Sequence, residues 1–166
     1  MSSVFSDLEY INIIKDILDS EEFNKIKEWE HHGITRFDHS LKVSYRAYRI
    51  AKTLKLDYVE TARAGLLHDF FITDAFSNKD KLKSVFTHPV KAVENASENF
   101  SLSVKEKDII VSHMWPFNLH VPKYAESWVV NMVDKVIGTY ELLLQHQREL
   151  AAATNIYVIF LLGYVK

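Results

Sequence analysis

The chain is expected to fold as an all-α bundle of six to seven helices in a single domain. Three observations predict this. Only four Gly and three Pro punctuate 166 residues, too few for a turn-rich β protein. Apolar residues recur at spacings of three and four, the period of a helix with one buried face. Capping patterns with Glu three residues on precede three of these stretches, at Ser6/Glu9, Asp57/Glu60 and Ser103/Glu106. With 48% hydrophobic and 13% aromatic residues, material for a core is ample.

Residues 7–30 read as the first helix, with Leu8, Ile11, Ile14, Ile17 and Leu18 at helical spacing and His31-His32-Gly33 as its stop. Residues 39–55 read as the second. Its stripe is Val43, Ala47, Ile50, Ala51 and Leu54, and His39 lies one turn before Val43 on the same stripe. Asp57 opens a third helix to about Phe70, burying Val59, Ala62, Leu66 and Leu67 and ending in Leu66-Leu67-His68-Asp69-Phe70-Phe71.

Residues 72–87 are polar and lysine-rich and read as a loop. His88-Pro89 then opens a helix through Val90, Val93 and Ala96, with Pro early, where its missing N–H costs least. Ser103 starts a helix through about His113. Trp115-Pro116 breaks the chain, residues 123–149 form a long helix with Asp134 in its apolar middle, and 154–164 form the last. No repeat, linker or low-complexity stretch divides the chain, so residues 1–166 are taken as one domain.

The formal net charge of −2 gives no attraction for a nucleic acid. Cysteine is absent, so a bound metal must take His and carboxylate ligands. The N-terminus is polar, with Asp7 and Glu9, unlike a secretory signal. The apolar run Ile156–Val165 falls short of the roughly 20 residues a bilayer needs, so it reads as a core or partner-facing helix. Together these point to a cytoplasmic protein without a membrane partner.

Six metal-capable residues fall within or at the ends of apolar helical stretches: His39, His68, Asp69, His88, His113 and Asp134. A buried carboxylate is costly unless paired, and a divalent cation compensates several at once. Imidazole with carboxylate suits Fe, Mn or Zn better than Ca or Mg. His68 and Asp69 are adjacent, so both can address one ion, and Asp69 has a second oxygen for another. Two ions clamp a phosphate and activate water, with no need of a Ser or Cys nucleophile. Each residue also has a plainer reading. A histidine on an apolar face is commonly a hydrogen-bonded core residue, and an Asp pairs with a nearby cation. Spacing alone leaves both readings open.

Phe37-Asp38-His39-Ser40, then Ala64-Gly65-Leu66-Leu67-His68-Asp69, then Val133-Asp134-Lys135 resemble the ordered motif of the HD-domain superfamily of metal-dependent phosphohydrolases. The resemblance runs from about residue 35 to 140, with the first and last helices packed on that core. It implies an HD-domain bundle with His39, His68, Asp69 and Asp134 as metal ligands and His68 and Asp69 at the catalytic centre. His88 in Thr87-His88-Pro89 and His113 in Val111-Ser112-His113 match the two extra histidines of the binuclear subset, in which the Asp bridges two ions. The layout is similar to that of YqeK-type enzymes, which split dinucleoside polyphosphates symmetrically. Phe70-Phe71-Ile72 stands where many binuclear members carry Ile-Gly-Lys or Ile-Ala-Lys, so their substrate-facing lysine has no counterpart here.

Around the six, Arg36 and Lys135 are the candidate phosphate contacts, with Lys91, Asn118 and His120 behind them and Asp74 as a candidate base or ligand support. The expected function is hydrolysis of a phosphate ester or anhydride, of a nucleotide in the first instance, with two divalent ions and a small phosphorylated substrate; a homodimer is a candidate assembly. Two other classes stay open: oxygen-dependent cleavage at a di-iron centre, and a non-catalytic nucleotide-binding module.

Overall fold

The computed structural model describes residues 2–28, 30–31, 34–71 and 81–163. It is all-α. The elements are α1 (Ser2–Phe5), α2 (Leu8–Leu18), α3 (Glu21–Asn24), a 3-10 turn (Lys25–Glu28), α4 (Arg36–Thr53), α5 (Tyr58–Leu67), α6 (Lys81–Asn99), α7 (Val104–Ser112) and α8 (Ala125–Gly163). The six helices of nine residues or more make the bundle. A two-residue antiparallel ladder, Glu30–His31 against Ile34–Thr35, sits between the 3-10 turn and α4.

The capping residues do most of what the sequence asks of them. Ser103 and Glu106 form a complete capping box on α7. Asp57 accepts from Glu60 N at the start of α5. The N-terminal stretch differs from the single helix expected over 7–30. Asp7, not Ser6, caps α2, accepting from Tyr10 N. Ser20 then accepts from Phe23 N and starts α3. A serine side chain that competes for backbone N–H groups favours a new start over continuation.

Further along the chain, α6 begins at Lys81, inside the stretch expected to be loop, so Pro89 lies within the helix rather than at its start. Leu82, Val85, Phe86, Val90 and Val93 are spaced at three and four, which carries the helical pattern upstream of the proline. The helices expected at 123–149 and 154–164 are one continuous helix, α8. The residues between them, Leu150-Ala151-Ala152-Ala153, are strong helix formers with nothing to break the run.

The core gathers Tyr10, Ile14 and Ile17 from α2, Phe23 and Ile26, Leu41, Val43, Ala47 and Tyr48 from α4, Ala62, Ala64, Leu66 and Leu67 from α5, and Ile109, Ile110, Val130 and Val133 from α7 and α8. Ile50, Leu54 and Val59 were expected in it and are exposed. The buried face of α4 is turned toward Leu41, Tyr45 and Tyr48 instead, because ring packing of Tyr10 on Tyr45 and Tyr48 sets the contact with α2.

Among the described residues the α4–α5 contact is the most extensive between helices, and Gly65 permits its close approach. A Cβ there would lie 3.1 Å from Ser44 Cα. Ser44 Oγ donates to Ala62 O at 2.6 Å and accepts from Tyr10 OH at 2.7 Å, which ties the three helices together. Among the described residues, no helix is long and apolar enough to cross a membrane.

Candidate metal centre

Five elements bring the six candidate residues to one place. Thr35 caps α4 by accepting from Asp38 N, which puts His39 in the first turn, facing inward. His68 is the residue after α5, and Asp69 follows in a tight turn closed by Phe70 N to Leu67 O and Phe71 N to Asp69 O. His113 is the residue after α7. His88 comes from α6 and Asp134 from α8.

His39 Nε2 lies 3.0 Å from Asp134 Oδ1, and His68 Nε2 lies 3.5 Å from the same oxygen. Asp69 divides its two oxygens. Oδ2 lies 3.7 Å from His68 Nε2, while Oδ1 lies 3.4 Å from His88 Nε2 and 3.6 Å from His113 Nε2. His39, His68 and Asp134 form one group with ligand atoms within 4.8 Å of one another, and His68, Asp69 and His113 form a second.

His68 and His113 are held alike. Each donates Nδ1–H to the carbonyl three residues earlier, Gly65 O at 2.8 Å and Ile110 O at 2.7 Å, leaving Nε2 turned toward the carboxylates of Asp69 and, for His68, Asp134. His68 Nε2 and Asp69 Oδ1 are buried without a hydrogen-bond partner. Such atoms cost of order 1–3 kcal/mol each when left unsatisfied. Nitrogen and carboxylate donors in this arrangement fit a divalent first-row cation, which would satisfy both.

The charges respond to the crowding. Burial alone would raise Asp69, but the imidazoles of His68, His88 and His113 pull its carboxyl well below the usual range. Asp134 is likewise held low by His39 and His68 against the effect of burial. Burial alone would lower His39, yet the carboxylates of Asp134 and Glu141 raise it to about 10. Burial and the neighbouring rings of His68 and His88 push His113 down to about 3. His113 Nδ1 faces Ile110 O, and its Nε2 lies 2.9 Å from His88 Nε2.

The other candidates are distributed around this centre. Arg36 donates to the Phe71 carbonyl and lies with Cζ 3.9 Å over the Phe71 ring, which in turn stacks on His88. Lys135 donates to His113 O at 2.9 Å. Asn118 is buried and donates to Val111 O, while Lys91 and His120 are exposed. Asp74 falls outside the described residues.

Three residues at the centre escape a reading of the sequence. Glu141 takes a hydrogen bond from His39 Nδ1 at 2.7 Å, and Lys42 Nζ lies 2.7 Å from the other oxygen of Glu141. Asn131 donates to the carbonyls of Ser112, His113 and Trp115 and so ties the end of α7 to α8. A signal for Glu141 exists: it stands seven residues after Asp134, two turns along the same face, inside the apolar run Tyr140–Leu144.

A family model of the HD domain matches residues 36–136, more than half of the chain, and the chain belongs to the HD-domain family. HD domains are typically metal-dependent hydrolases that bind divalent metals. No curated protein and no solved structure matches the chain.

Proposed function

We propose that the chain hydrolyses a phosphate ester or anhydride, of a nucleotide in the first instance, with two divalent ions held by His39, His68, Asp69, His88, His113 and Asp134. The observation that carries this reading is the division of Asp69, whose Oδ2 faces His68 while its Oδ1 faces His88 and His113. A carboxylate that turns different oxygens to different imidazoles has the form of a ligand bridging two ions. The donor set favours Fe or Mn, with Zn next.

The bound ions supply Lewis acidity at a phosphoryl oxygen and a water of lowered pKa. The chain supplies the rest. His68 and His113, fixed through Gly65 O and Ile110 O, present their Nε2 atoms without freedom to turn away. Asp69, 22% exposed beside the wholly buried His68, marks the side from which a phosphate approaches. Arg36 and Lys135 are half-buried cations, each with N–H groups to spare beyond the carbonyls it already meets, Phe71 O for Arg36 and His113 O and Asn131 O for Lys135. Burial depresses both, with Asp69 and Asp134 acting in the opposite sense, so an arriving phosphate compensates charge that water reaches poorly. In the reaction a water oxygen bonds to phosphorus and the bond from phosphorus to the leaving oxygen breaks. A net charge of −2 favours a small phosphorylated substrate over a nucleic acid.

The test is phosphate release from a panel of nucleotides and phosphate esters in added Mn, with and without oxygen. The wild type turns over at least one class at a rate independent of oxygen. His68→Ala and Asp69→Ala lose their metal and more than roughly 100-fold in rate, beyond the range seen for losing a residue that merely supports a ligand. Metal-loaded protein inert to the whole panel, or a metal-free Asp69→Ala protein with wild-type turnover, contradicts the proposal. An oxygen requirement moves the protein to the di-iron class.

A further inference from the structure

We infer that Glu141, held by Lys42, is a positioning residue that fixes the ring orientation and tautomer of His39 for metal binding. The inference rests on the metal-dependent reading above and adds a residue beyond the six.

Three of the four histidines, His39, His68 and His113, differ in what lies behind them. His68 and His113 each follow a helix end, where the last carbonyls have no partner within the helix. Each turns Nδ1 onto one of those, Gly65 O or Ile110 O. His39 lies in the first turn of α4, where the carbonyls behind it belong to Thr35 and Arg36 and accept the helix's own N–H groups. It has no local acceptor to use. The acceptor comes from α8 instead, as Glu141 Oε2 at 2.7 Å from His39 Nδ1.

Asp134 and Glu141 stand two turns apart on one face of α8 and so reach opposite nitrogens of a single ring, with Asp134 Oδ1 3.0 Å from Nε2. With the proton held at Nδ1, Nε2 becomes the atom presented to a cation beside Asp134 and His68. The second oxygen of Glu141 lies 2.7 Å from Lys42 Nζ, one turn along α4 from His39. The carboxylate is buried, and these two donors balance the charge that burial would otherwise leave bare.

Two acceptors facing two donors make a specific demand. An amide offers one oxygen, and its NH2 group would confront either His39 Nδ1–H or the Lys42 ammonium. Glu141→Gln should therefore fail much as Glu141→Ala does. Removing the second donor relieves the conflict, so Lys42→Met combined with Glu141→Gln lets the amide oxygen turn to His39. Lys42→Met alone leaves the Glu141–His39 bond in place.

The experiment is calorimetric titration of the metal-free full-length chain with Mn(II), alongside thermal unfolding of the same metal-free proteins. Glu141→Ala and Glu141→Gln are expected to weaken Mn(II) binding by roughly 10–100-fold. Lys42→Met, which keeps the Glu141–His39 bond, weakens Mn(II) binding less than either single Glu141 variant, and the Lys42→Met/Glu141→Gln protein binds more tightly than Glu141→Gln alone. A mere clip between α4 and α8 predicts otherwise: Lys42→Met and Glu141→Ala would act alike on unfolding, and the double variant would recover no affinity. Wild-type binding with Glu141→Ala within twofold of it overturns this inference alone. So does a double variant no better than Glu141→Gln, a comparison that holds even if the alanine variant does not fold. Failure of the wild type to bind Mn(II) overturns the metal-dependent reading and this inference together.

Discussion

Asp69 sits where four imidazoles converge, and that placement decides its charge. Burial penalises the anion, but His68, His88, His113 and His39 outweigh the penalty, so the side chain stands ready as a carboxylate. Another buried acid shows the same balance far from the centre. Burial raises Glu126, while the backbone N–H of Asp57, its own backbone and Lys105 lower it to a net depression. A depressed carboxyl stabilises the fold above its unfolded pKa, near 4.3, and the contribution is lost as pH falls through the lower folded value. Glu126→Gln is accordingly expected to cost about 1.5–3 kcal/mol at pH 7, the range for hydrogen bonds to a charged group. Urea unfolding at a series of pH values should show the gap from wild type closing as the pH falls below about 4; a gap unchanged at low pH would contradict the assignment. The apolar helical runs around the six candidate residues marked them as polar side chains in need of partners, and the choice of a metal as that partner came from the motif order. The spacing of Glu141 from Asp134 marks only a shared face of α8; its partner, like those of Asn131, lies on another element, and no periodicity records which helices meet.

Helix ends do much of the positioning. His68 and His113 each stand one residue past a helix, where unpaired carbonyls are available to orient a ring. The approach of α5 to α4 that carries His68 inward depends on Gly65, whose absent side chain leaves room for Ser44 Cα. Gly65→Ala gains helix propensity worth about 1 kcal/mol but forces a Cβ to 3.1 Å from backbone that is buried and cannot yield cheaply. Overpacking of this kind costs about 1–3 kcal/mol, so a net loss of about 1 kcal/mol is expected in thermal or urea unfolding, and an unchanged or raised stability would contradict the close-packing argument. The caps at Asp57 and Ser103 could be read directly from the sequence, since the pattern and its partner lie three residues apart. The starts of α3 and α6 could not. In both places two local signals compete, serine against the continuing helix at Ser20 and proline against the upstream stripe at Pro89, and tertiary packing decides between them.

The molecule as a whole is a bundle whose helix ends bring the candidate ligands together. The end of α5 carries His68–Asp69, the end of α7 carries His113, the first turn of α4 carries His39, and α6 contributes His88. The middle of α8 closes the ring with Asp134, while Asn131 and Lys135 fasten the α7 turn to it. The all-α class was legible from Gly and Pro scarcity and from the period of the apolar residues. The convergence of side chains spread from His39 to Asp134 was carried by the motif order rather than by any physical pattern in the chain. On the proposed function, this convergence exists to hold cations. Counting metal ions per chain by elemental analysis, in wild-type and Asp69→Ala protein purified without chelator and incubated with Mn, tests it most directly. About two ions in the wild type, with loss of bound metal in Asp69→Ala, is the predicted result. A folded wild type that carries no metal and takes up none would contradict it.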